Sequence, residues 1–304
     1  MVVAVIWGLC FVLIQASLPS PAPLLLAALR ALIGGGVLAA WILLRRRQPV
    51  GRHRDADFAA PNIRRSGLPS TALLIALALT NAALALGAMY LAAGRAEAGV
   101  ASILAGGQPL VLAAAGWALF GERLSGRTVI GLGVAMTGVV AVATTSSGAT
   151  SPDGVVLALL ATAAPATGTV LMRKLAPAVD LLATTSAQFL LGGAILLAAS
   201  AVLEPWRSVS WSAAMVPGLL VLGVLGTGLA YVAWFWLLDR VSMTRLGAAL
   251  FLVPVVGIVA AIVTGDRPQP AELAAIAAVL AGIGIVSAGG ASTPSVEEPA
   301  HQTA

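Results

Sequence analysis

Apolar runs long enough to cross a bilayer as a helix, roughly 17–25 residues each, recur along the whole chain and are separated by polar segments. Ten are expected, near 2–18, 24–44, 68–93, 98–119, 127–144, 154–172, 181–203, 213–238, 246–264 and 271–289. The longest polar interruption within the pattern, RRRQPVGRHRDADFAAPNIRRSG, follows the second run and carries seven arginines. This alternation predicts an all-α integral membrane protein with ten transmembrane helices.

Much of the stretch from Tyr90 to Val139 returns from about Phe235 onward. Arg95 and Arg240 are 145 positions apart, as are Pro109 and Pro254; Glu122 and Asp266 are 144 apart, as are Gly138 and Gly282. A long internal repeat in an apolar chain points to a transporter built from two related halves. The first half is expected over 1–144 and the second over 154–289, joined by the polar, turn-forming linker at 145–153. Five spans per half is an odd number, so the second half enters the membrane upside down, giving two inverted five-helix repeats. The tail at 290–304 has little apolar content and is expected to be disordered on the cytoplasmic side.

Composition narrows the class. Of 304 residues, 59% are hydrophobic and 10% charged, and the mean hydropathy is +0.99, which leaves too little polar surface for a water-soluble domain. The pI near 10.6 raises nucleic-acid binding, but the positive charge sits mainly in short loops between apolar runs, where it sets topology instead. Placing the arginine-rich loop in the cytoplasm puts thirteen of the seventeen basic residues on that side and leaves Arg95, Arg207 and Arg267 outside. Both termini are then cytoplasmic. Sixteen arginines against one lysine, Lys174, with abundant Ala and Gly, suggest coding from a GC-rich bacterial genome and hence a bacterial cytoplasmic membrane. The first run starts almost at Met1, and ASLPSPA resembles a signal-peptide cleavage site. The repeat needs this run as its first span, so a start further upstream is expected rather than cleavage. Cys10 is the lone cysteine, which excludes an intrachain disulfide and a Cys-based metal site.

Several residues together resemble a known family. Trp7, Gly8 and Phe11 open the chain, Arg30 lies near the outer end of the second span, and Pro109 is followed thirteen residues later by Glu122 in FGERLS. Gly131 and Gly138 follow in the next span. The set is similar to the EamA-type, ten-span members of the drug/metabolite transporter superfamily, over nearly the whole chain to about residue 289. It departs at Ala31, where the family often has an aromatic, at Asp266, which replaces the hairpin Glu, and at Pro165, where the family often has Trp. The resemblance implies secondary transport of small organic molecules, commonly export of amino acids or other metabolites, by alternating access.

Charge at membrane depth is nearly absent. All twelve acidic residues fall in loops, at span ends or in the tail, so the chain lacks the central carboxylate of a proton-coupled cation antiporter. Arg30 is the one deep charge, roughly 9 Å below the outer end of the second span at about 1.5 Å per residue. It reads either as a partner for a substrate carboxylate or gate carbonyls, or as an anchor that snorkels outward. Pro109 and Pro254 interrupt spans four and nine near their middles, and the carbonyl each frees is tolerated only beside protein or a water-filled cavity. Trp7, Asn81, Gln108, Thr227, Tyr231 and Trp234 fall at similar depth, and aromatics with a few amides suit a neutral or zwitterionic molecule. Taken singly, each also reads as packing or as an interhelical hydrogen bond. The expected substrate-binding set is Trp7, Arg30, Asn81, Gln108, Pro109, Tyr231, Trp234 and Pro254. Glu122 and Asp266 read as capping or hairpin residues. Gly131, Gly133, Gly138, Gly282 and Gly284 permit close helix contact, either in a homodimer or within one chain.

An enzyme needs an acid, base or nucleophile set at membrane depth or on a membrane-facing loop. The histidines are His53, in a loop, and His301, in the tail; no acidic pair lies in a span and no metal-ligand spacing occurs. No catalytic residue, metal, cofactor or nucleic-acid partner is expected, and no ring-forming filter motif of a channel is present. The partners are membrane lipid and a small-molecule substrate. The reading is a secondary transporter exporting small neutral or zwitterionic metabolites such as amino acids. Drug efflux or metabolite uptake on the same fold is the alternative, and a membrane-embedded enzyme a distant one.

Overall fold

A computed structural model describes residues 2–17, 21–47, 68–105, 107, 108, 111, 114, 117, 118, 125–145, 150–175, 179–213, 215–238, 252–265, 267 and 269–289. Among these every regular element is helical, the arrangement that satisfies backbone polar groups where no water is at hand. The elements are α1 (Val2–Gly8), α2 (Cys10–Ser17), α3 (Pro23–Arg47), α4 (Thr71–Leu77), the π-helical segment π1 (Ala78–Leu84), α5 (Ala85–Ala93), α6 (Ala98–Ala105) and α7 (Gly126–Thr145). There follow α8 (Pro152–Leu175), α9 (Leu181–Leu203), a 3-10 turn (Trp206–Ser208), α10 (Met215–Leu220), a second π-helical segment π2 (Val221–Leu229), α11 (Ala230–Leu238), α12 (Leu252–Thr264) and α13 (Pro270–Gly289).

Four stretches of the described residues are long and apolar enough to cross a membrane: Pro23–Arg45, Thr71–Ala93, Leu181–Leu203 and Met215–Leu237. They coincide with the second, third, seventh and eighth expected runs. Gly126–Ala141, Val253–Thr264 and Leu273–Val286 are shorter apolar helices. The chain is an all-helical membrane protein, and large apolar side chains left on its outside, such as Val202 and Val263, have lipid as their solvent. Pro109, Glu122, Asp266, both histidines, linker residues 146–149 and the tail from 290 lie outside the described residues.

Two helix crossings organise the bundle. α3 and α9 run antiparallel: Leu24 and Leu25 lie against Glu204, Leu32 against Gly193, and Gly35 against Leu190. A Cβ at Gly35 would fall 2.9 Å from Leu190 Cγ, and one at Gly193 would fall 2.9 Å from Leu32 Cγ, so the approach requires both glycines. The contact reads the same from either helix, because RALIGGG at 30–36 and QFLLGGA at 188–194 align under a shift of 158 positions. α7 and α13 repeat the device. A Cβ at Gly138 would stand 2.7 Å from Val279 N, and one at Gly282 would stand 2.5 Å from Ala135 N, under a shift of 144.

The spans Thr71–Ala93 and Met215–Leu237 both widen in the middle. The Ala85 N–H reaches the Thr80 carbonyl and the Ala230 N–H reaches the Leu225 carbonyl, five residues back in each case. These positions are 145 apart. Gly192 of α9 packs on π1 against Ala82 and the Ala78 carbonyl, while Gly34 of α3 packs on π2 against Thr227 and the Gly223 carbonyl. The glycine-rich centre of each crossing helix therefore rests on a widened turn of another span.

One end of the bundle is knit by polar contacts. α3 opens on Pro23, which has no N–H to leave unpaired, and the next two N–H groups donate to the Glu204 carboxylate at 2.7 and 2.9 Å. The Gln15 amide donates to the carbonyls of Ala93 and Ala96, and the Ser151 N–H donates to the Arg95 carbonyl, while the Ser151 hydroxyl lies within reach of both that carbonyl and the Asp153 carboxylate. Arg95 pairs with Asp153 at 3.0 Å on the exposed rim. A hydrogen bond from Ser151, with help from its own N–H and from Arg95, holds the Asp153 carboxyl below its ordinary range. The stability this adds is present above the ordinary carboxylate pKa and fades as the pH falls through the lowered value.

The structure sorts the glycines of the fifth and tenth spans. Gly131, Gly138 and Gly282 pack between α7 and α13, whereas Gly133 and Gly284 face open space. Gly282→Ala is expected to lower stability by about 1–3 kcal/mol, because its new methyl meets backbone rather than a flexible side chain. Gly133→Ala is expected to be neutral or stabilising by up to about 1 kcal/mol, through helix propensity alone. Unfolding midpoints in detergent check this, and equal effects of the two substitutions would contradict the packing.

Candidate functional site

Arg30 sits in the first half of α3, eight residues into the helix, and points inward with 4% of its surface exposed. It does not snorkel. Its Nε donates to Thr227 Oγ1 at 3.1 Å, Nη2 to Cys10 Sγ at 3.4 Å and Nη1 to Met89 Sδ at 3.7 Å. A guanidinium carries five N–H donors, and thiol and thioether sulfur are weak acceptors. Among the described residues no carboxylate is joined to it. The Tyr90 hydroxyl lies within electrostatic reach but makes no hydrogen bond of ordinary geometry. The buried charge is thus held by one hydroxyl and two sulfurs.

Aromatic rings gather beside it. Trp7 of α1 lies 5.7 Å from Tyr231 and 5.4 Å from Trp234, ring centre to ring centre, and Tyr231 lies 5.3 Å from Phe189 of α9. The Trp7 indole N–H donates to the Gly226 carbonyl in π2 at 3.3 Å, one residue before the Thr227 that holds Arg30. α1 can approach α12 because Gly8 has no side chain: a Cβ there would stand 2.6 Å from the Val253 carbonyl. Trp7, Tyr231 and Trp234 each remain partly exposed, unlike Phe189 and Tyr90, which are buried.

A second polar pair occupies the other widened span. The Asn81 side-chain amide in π1 donates to Gln188 Oε1 of α9 at 3.0 Å, while Asn81 Oδ1 is buried without a partner. The carboxamide of Asn81 fits against the bare Cα of Gly168 in α8. Gln188 is 158 positions after Arg30, so the two polar pairs occupy corresponding places on the two crossing helices.

The structure therefore joins Trp7, Arg30, Tyr231 and Trp234 in one cluster and sets Asn81 in the second pair. Gln108 is half-buried, and residues 106, 109 and 110 around it lie outside the described set, Pro109 among them. Pro254 is buried in α12, next to the Val253 carbonyl that meets Gly8, and residues 239–251 before this helix lie outside the described set. Sequence reasoning missed Gln188, Cys10, Met89 and Tyr90. For Gln188 the signal was available in the 158-position shift; for the two sulfurs and Tyr90 none was, because nothing in a uniformly apolar run marks which face turns inward.

The EamA-like transporter family matches residues 1–144 and 153–288. The chain is 28% identical over 273 residues to the uncharacterized transporter YvbV of Bacillus subtilis (strain 168), covering 89% of this chain and 84% of that one. It is 29% identical over 297 residues to a protein of Salmonella typhimurium named "Probable amino-acid metabolite efflux pump", covering 93% and 91%. A crystal structure with 21% identity superposes with a TM-score of 0.60 over 93% of this chain and 94% of that one, which shows a shared fold.

The Asn81–Gln188 bond generates a stability test. Asn81→Ala strands a buried acceptor and is expected to cost about 1–3 kcal/mol. Adding Gln188→Ala removes that acceptor, so a double-mutant cycle is expected to show about 0.5–1.5 kcal/mol of coupling. Strictly additive costs in detergent unfolding would mean the pair is not formed.

Proposed function

The chain belongs to the EamA-like transporter family, and on that premise we propose that it is a secondary transporter exporting small neutral or zwitterionic metabolites, amino acids among them, by alternating access. Its relatives are transporters and efflux pumps rather than enzymes. The observation that carries the substrate reading is the cluster itself: partly exposed Trp7, Tyr231 and Trp234 beside a buried guanidinium. Rings give an apolar body somewhere to lie, and few convergent polar groups fix its orientation. The Salmonella relative's name supports the amino-acid class.

Ten spans in two inverted repeats, in a bacterial cytoplasmic membrane with both termini inside, complete the proposal. The antiparallel, reciprocal crossings of α3 with α9 and of α7 with α13 support the inversion, since corresponding helices of inverted halves must run in opposite directions. The polar-knit end then faces outside.

Metabolite profiling of medium and cytosol, in cells expressing the chain against an empty-vector control, tests the function. Export predicts one or a few small molecules rising outside and falling inside. Asn81→Leu and Trp234→Ala are expected to reduce that flux by several-fold while membrane insertion stays intact. Normal flux in both variants would remove the site assignment.

A further inference from the structure

We propose that the transported molecule carries a carboxylate and that Arg30 binds it on the guanidinium edge that faces Gly226, an inference that rests on the transport function proposed above. The two halves differ here in an instructive way. Under the shifts of 158 and 145 positions, Arg30 corresponds to Gln188 and Gly226 to Asn81. In one pair the side chain on the crossing helix, Gln188, is met by the amide of Asn81. In the other, the residue at the corresponding place, Gly226, has no side chain, and the guanidinium turns to Thr227, Cys10 and Met89.

Gly226 faces the charge directly. A Cβ built on it would stand 3.6 Å from Arg30 Nη2 and 3.6 Å from Cys10 Sγ, which is ordinary contact. Any side chain extended from this position would reach the guanidinium edge, and the chain supplies none. What remains around Arg30 is the Thr227 hydroxyl, itself donating to the Leu222 carbonyl, two sulfurs and, within electrostatic reach, the Tyr90 hydroxyl. A charge so buried is costly unless it is matched, and the matching acceptor on this chain is absent among the described residues.

The geometry points to a carboxylate rather than another anion. One guanidinium presents a planar fork that fits a carboxylate with two parallel hydrogen bonds and balances a single charge. A dianionic phosphate calls for a second cation, and Arg30 is the one basic residue buried among the described residues. The rest of the ligand would lie on the rings of Trp7 and Tyr231, the former hydrogen-bonded to Gly226 itself. This selects carboxylates with a small apolar body over their amides and over cationic drugs.

Thermal shift of the purified chain in detergent, titrated with the proteinogenic amino acids and their α-amides, tests the inference. At least one amino acid is expected to raise the melting temperature of the unmodified chain, and its amide to bind on the order of tenfold to a hundredfold more weakly. Arg30→Gln, which copies the other half, and Gly226→Asp, which supplies an internal carboxylate, should both abolish the shift. Gly226→Ala, whose methyl fits, should keep it. Equal shifts from acid and amide, an Arg30→Gln variant that binds as well as the parent, or no shift from any amino acid would each overturn the inference. Export of molecules lacking a carboxylate would also overturn it while leaving transport standing. Carboxylate binding without flux in reconstituted vesicles would do the reverse.

Discussion

Because Gly35 and Gly193 carry no Cβ, α3 and α9 close until the Leu190 and Leu32 side chains lie against bare backbone. In lipid there is little hydrophobic gain from joining two apolar helices, so this closeness of packing is what holds them. The crossing also sets the positions of everything polar nearby. Arg30 lies on one side of its centre and Gln188 on the other, and the neighbouring glycines, Gly34 and Gly192, seat the two helices on π2 and π1. A larger residue at the crossing would move the charge, the amide pair and both widened turns together.

The charge at Arg30 is tolerable because its surroundings are soft rather than strong. An arginine at the centre of a span costs about 2.5–3.5 kcal/mol on insertion scales. A buried acid would offset that cost permanently and leave the guanidinium inert. A hydroxyl and two polarisable sulfurs offset part of it and can be exchanged for something better. The placement of Thr227 on a π-helical turn serves the same end, since its hydroxyl reaches both Arg30 and the carbonyl of Leu222, five residues earlier.

Run length made legible the four long apolar helices that the structure describes, and the Arg95/Arg240 and Pro109/Pro254 spacings raised the expectation of a repeat. It also singled out Arg30, Trp7, Asn81, Tyr231 and Trp234, because charge, amide and ring are each conspicuous in an apolar run. The direction of Arg30 was not legible. A helix apolar all round gives no signal of which side faces protein, so the sequence favoured the snorkelling reading, and the 4% exposure of Arg30 set it aside. Met89 and Cys10 were invisible for the same reason: both pass as ordinary apolar residues.

The paired π-helical segments bear on how such chains are compared. In a regular α-helix each residue turns the chain by about 100°, so removing one residue from 78–84 or 221–229 would restore the regular ladder. It would also swing Tyr90 or Tyr231 about a quarter turn away from the guanidinium. A one-residue gap inside these spans is therefore not alignment noise. Such a gap changes the face on which the following ring sits, even where every letter on either side is the same.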